Sequence, residues 1–63
     1  MMRYEVWIGS YFWSEHTTLP AAIHAVEQRI RNKPDETTSG HIRDLTLNAV
    51  VLQFSTIIPL LKL

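Results

Sequence analysis

Residues 3–16 alternate between apolar and polar side chains, and Gly9-Ser10 falls at their midpoint. Alternation at period two is the signature of a strand with one buried face. A two-residue loop with glycine first fits a type II′ hairpin turn. With Gly9 and Ser10 as the loop, Ile8 pairs with Tyr11, Trp7 with Phe12, Val6 with Trp13, Glu5 with Ser14 and Tyr4 with Glu15. That register sorts Tyr4, Val6, Ile8, Tyr11 and Trp13 onto a core face. Arg3, Glu5, Trp7, Phe12, Ser14 and His16 take the other face, where only Trp7 and Phe12 break a polar pattern.

A helix follows, expected from about Leu19 to Asn32. A threonine at 17 or 18 can cap its free N–H groups, and Pro20 is tolerated in its first turn. Leu19, Ala22, Ile23, Val26 and Ile30 recur at helical spacing and make one apolar stripe to lay on the hairpin. His24, Glu27, Gln28 and Arg31 face water, with Glu27 and Arg31 spaced as a favourable ion pair. Arg29, Arg31 and Lys33 suit the negative end of the helix dipole, and Lys33-Pro34 stops the helix. Residues 34–40, polar and rich in turn formers, read as an exposed loop.

Residues 45–61 carry no charge. The β-branched pairs Val50-Val51 and Ile57-Ile58 favour strand, because a helix here would be apolar on every side; a buried helix is the alternative. A turn at Asn48-Ala49 would sort Leu45, Leu47, Val50 and Leu52 onto one face, yet it asks Ala49 for a positive φ at a cost of roughly 1 kcal/mol. One strand over residues 44–55 avoids that cost. Pro59 ends regular structure, and Ile57, Ile58, Leu60, Leu61 and Leu63 form an apolar tail that needs cover. Thr46, Asn48, Gln53, Ser55, Thr56 and Pro59 argue against a membrane span. The expected fold class is α+β: residues 1–63 as one domain, with an antiparallel sheet of the hairpin plus one or two C-terminal strands and the helix across one face.

A chain of 63 residues buries only about 60% of its unfolded surface, and small domains therefore lean on a staple or a partner. No cysteine is present to supply a disulfide or a thiolate zinc site, and 46% of the residues are hydrophobic, so a homo-oligomer or protein partner is expected. Six basic and six acidic residues cancel, which removes the footprint of a non-specific nucleic-acid binder. The N-terminus leads into alternation instead of an apolar run, so a cytoplasmic protein is expected.

For catalysis a chain needs a nucleophile with its base, paired carboxylates in a cleft or a glycine-rich phosphate loop, and none is legible here. His16, His24 and His41 have no metal-ligand spacing, so neither metal nor cofactor is expected. The candidate partner-binding residues are Trp7 and Phe12, with Arg3 beside them, because exposed aromatics dominate protein interfaces. Arg29, Arg31 and Lys33 are the candidates for contact with phosphate or an acidic surface. The expected function is a non-enzymatic protein-binding module of adaptor or inhibitor type, acting as a homodimer, with a dimeric nucleic-acid-binding regulator second.

Overall fold

The computed structural model describes residues 2–56. Four antiparallel strands and one helix follow in the order β1 (Tyr4–Ile8), β2 (Tyr11–His16), α1 (Leu19–Asn32), β3 (Ser39–Asp44) and β4 (Ala49–Ser55). The sheet order is β2-β1-β3-β4, so β1 is central and β2 and β4 are the edges. This is the expected α+β arrangement, with two C-terminal strands.

At the first turn Gly9 takes a φ of 61° while Ser10 does not take a positive φ, as a type II′ turn requires. Trp7 pairs with Phe12 and Ile8 with Tyr11, as the alternation predicts. Beyond them the register departs from expectation: Val6 faces Ser14, Glu5 faces Glu15 and Tyr4 faces His16, leaving Trp13 as the extra residue of a β-bulge. Strict alternation places Ser14 and His16 on the outer face, but the bulge resets the parity and brings both to the helix side with Tyr4 and Val6. Trp13 still packs on the core. Tyr11 does not join it: 59% exposed beside the turn of an edge strand, it has neighbours on one side only.

The helix matches its sequence-based bounds. Thr18 Oγ1 accepts from the Ala21 N–H at 3.3 Å, and the Lys33 N–H closes the last turn on the Arg29 carbonyl at 3.1 Å. Ala22 and Val26 are buried, with Leu19, Ile23 and Ile30 packed around them. The helix lies on β1 and β2, and its stripe closes over Val6, Ile8 and Ile42, a core of few side chains.

Residues 34–40 are not all loop, since β3 begins at Ser39. Nor is 44–55 one strand: β3 and β4 form a hairpin around Leu45, Thr46, Leu47 and Asn48. Asn48, not Ala49, takes the positive φ, at 54°, which its short polar side chain tolerates better. The β3–β4 ladder slips by one residue between Ile42 and Arg43, leaving Val51 as a second extra residue. Gly40 is required where β1 and β3 meet, because a Cβ there would run into the Trp7 carbonyl; the Phe54 ring lies over the space. The expected apolar tail of residues 57–63 lies outside the described residues. Among those described, no helix is long and apolar enough to cross a membrane.

Candidate functional site

The face of the sheet opposite the helix carries a row of aromatic side chains, of which Phe12 is exposed and Trp7 half-buried. Side chains directly opposite one another on paired strands share a face. Phe12 faces Trp7, Trp7 faces His41 and His41 faces Gln53, so one row crosses β2, β1, β3 and β4 on the outer side. The Phe12 and Trp7 rings meet edge to face with centroids 6.0 Å apart, and the His41 ring stacks on Trp7 at 6.0 Å with 7° between planes. Phe12 is 45% exposed. Such aromatic pairs contribute roughly 0.5–1.5 kcal/mol beyond their buried area. The row is thus pre-ordered as well as accessible.

The next row on the same face is Glu15, Glu5, Arg43 and Val50. Glu5 Oε1 accepts from the Trp7 indole N–H at 3.1 Å, which fixes the ring's orientation. An Arg43 guanidinium N–H donates to the Asn48 side-chain oxygen. Glu5 lies opposite Arg43 on one side and Glu15 on the other, so this face carries charges of both signs.

Arg3 is placed differently from its expected neighbours. It reaches across the strand end and donates twice to Asp44, Nε to Oδ1 at 3.1 Å and an Nη to Oδ2 at 2.9 Å. Asp44 is buried, and its Oδ1 also accepts the N–H groups of Thr46 and Leu47. The hydrogen-bonded Arg3 guanidinium holds the Asp44 carboxyl below its usual range; burial opposes the shift, and the Leu47 and Thr46 N–H groups add to it. The same carboxylate raises the pKa of Arg3. Asp44 thereby ties β1 to the turn between β3 and β4.

The basic helix end is divided. Arg29 lies over the Trp13 ring at 5.9 Å and approaches Glu36 at 3.8 Å, whereas Arg31 and Lys33 are exposed. The expected Glu27–Arg31 pair is not among the ion pairs of the described residues. Ser14 Oγ and His16 lie 2.9 Å apart on the helix side, brought there by the bulge, and the His16 ring has no carboxylate partner among the described residues. An open cleft of about 380 Å³ lies at the end of the aromatic row, lined by Gly9, Ser39, Gly40, His41, Gln53, Phe54 and Ser55. His41 makes no side-chain hydrogen bond among the described residues, and the serine–histidine contact of Ser14 and His16 lies outside this cleft. The described residues also contain no cluster of three or more metal-ligating side chains.

Sequence reasoning found Trp7 and Phe12 but missed His41, which joins them through a pairing 34 positions away in the chain. His41 and Arg43 share a face because β3 spans Ser39–Asp44, and no local sequence signal marks that strand or its pairing with β1. The chain matches no family model, no curated protein and no solved structure.

Proposed function

We propose that this chain is a small, non-enzymatic, cytoplasmic protein-binding module of adaptor or inhibitor type, with the outer face of its sheet as the working surface. The row of Phe12, Trp7 and His41 carries this reading. It offers rigid aromatic surface at low entropic cost, with polar side chains around it, as interface centres do. The partner has the matching chemistry: an apolar or aromatic patch ringed by mixed charge. The mixture of Glu5, Glu15 and Arg43 does not suit a polyanion, and the separation of Arg29 from Arg31 and Lys33 takes support from a phosphate-binding helix end.

The test is capture of the partner from the native cell at two salt concentrations, with Phe12→Ala beside the unaltered chain. A protein complex that survives from about 50 to 200 mM salt and is lost in Phe12→Ala supports the proposal. A complex that weakens a hundredfold or more over that range and contains nucleic acid contradicts it.

A further inference from the structure

The two edges of the sheet are unlike. The β2 edge is interrupted by the Trp13 bulge and carries Glu15, both features that discourage strand addition. The β4 edge, Ala-Val-Val-Leu-Gln-Phe-Ser, has no charge and no proline. Among the described residues no further strand pairs with it, and the backbone groups it turns away from β3 can be assigned. The Thr56 N–H donates to the Thr38 carbonyl at 2.8 Å, so Thr56 faces β3. Backbone groups alternate along an antiparallel strand, so Leu52 and Phe54 also face β3, while Gln53 and Ser55 turn theirs to the open edge. Val51, the extra residue of the bulge, lies on the same run.

We propose that β4 is the seam of a homodimer in which two copies pair antiparallel about a twofold axis at Gln53. This register places Gln53 opposite Gln53 of the second copy and Val51 opposite Ser55 of the second copy, so outward-facing backbone groups meet one another. Leu52, partly buried on the helix side, then lies against Phe54 of the second copy, and each supplies apolar cover to the other. With no charge on β4, the axis brings no like charges together. The contact is isologous and leaves only the blunted β2 edges outermost, so assembly stops at two copies. The two four-stranded sheets become one of eight, and the row of Phe12, Trp7, His41 and Gln53 continues through the axis into its copy. The seam does not depend on what the outer face binds.

Gln53→Pro tests the seam, because the N–H it removes points away from β3 and leaves the intramolecular ladder intact. At micromolar concentration the unaltered chain is expected to sediment at twice its 7.3 kDa mass, and Gln53→Pro at the single mass with unchanged circular dichroism. A Gln53→Cys variant decides the matter independently of how Gln53→Pro folds. Opposed residues at the axis lie about 5.5 Å apart between Cα atoms, within the range a disulfide spans. Mild oxidation should link Gln53→Cys into a dimer and leave a His24→Cys control, on the exposed side of the helix, unlinked. A chain of single mass, a Gln53→Pro variant still of double mass, or cross-linking no better at 53 than at 24 would each overturn the proposal.

Discussion

Among single residues, Asp44 carries the most structure for its size: it accepts from Arg3 on one side and from two backbone N–H groups of the turn on the other. Its folded pKa is lowered, so the stability it contributes is fully present above the unfolded carboxylate value and is lost as pH falls through the lower folded value. The expected outcome is a melting temperature that falls below about pH 4. In Asp44→Asn the neutral-pH melting temperature should be lower and that part of the acid decline missing, as scanning calorimetry from pH 2 to 7 would show. The bonds of Asp44 to Thr46 and Leu47 are local, as an aspartate opening a turn can make, but its pairing with Arg3, 41 positions away, leaves no mark in the local sequence.

For the elements, the outcome depends on how local their determinants are. The first hairpin turn and the helix were legible because Gly9, Thr18, Pro20 and the apolar stripe act within a few residues of themselves. The bulges at Trp13 and Val51 were not, since an extra residue in a ladder is chosen by what each side chain meets across the sheet and above it. The second hairpin was half legible. Asn48 could be read as a residue able to take a positive φ, but the expected sorting of Leu45, Leu47, Val50 and Leu52 onto one face is not realised. Leu45 and Leu47 lie in a four-residue loop held by Asp44, and the Val51 bulge puts Val50 and Leu52 on opposite faces. Asn48→Ala should therefore destabilise the chain by about 1 kcal/mol, and Asn48→Gly by clearly less, in urea unfolding. Equal losses would mean that the contact between Asn48 and Arg43, rather than the backbone angle, sets the cost.

At the scale of the whole molecule, the helix covers one face of the sheet and leaves the other to an ordered aromatic row. The claim that this row serves binding rather than folding makes neighbouring aromatics on one strand behave differently. Trp13 packs against the core under the helix, so Trp13→Ala should cost about 3 kcal/mol, the low end for a core aromatic because Trp13 is only partly buried. Phe12 sits on the open face, so Phe12→Ala should cost at most about 1 kcal/mol, the value of a cross-strand pair. Equilibrium unfolding of these two variants beside the unaltered chain is the most direct measurement. A loss in Phe12→Ala well below that in Trp13→Ala is the result expected. Equal losses would mean that the outer face is buried in the folded protein and that its aromatics are core.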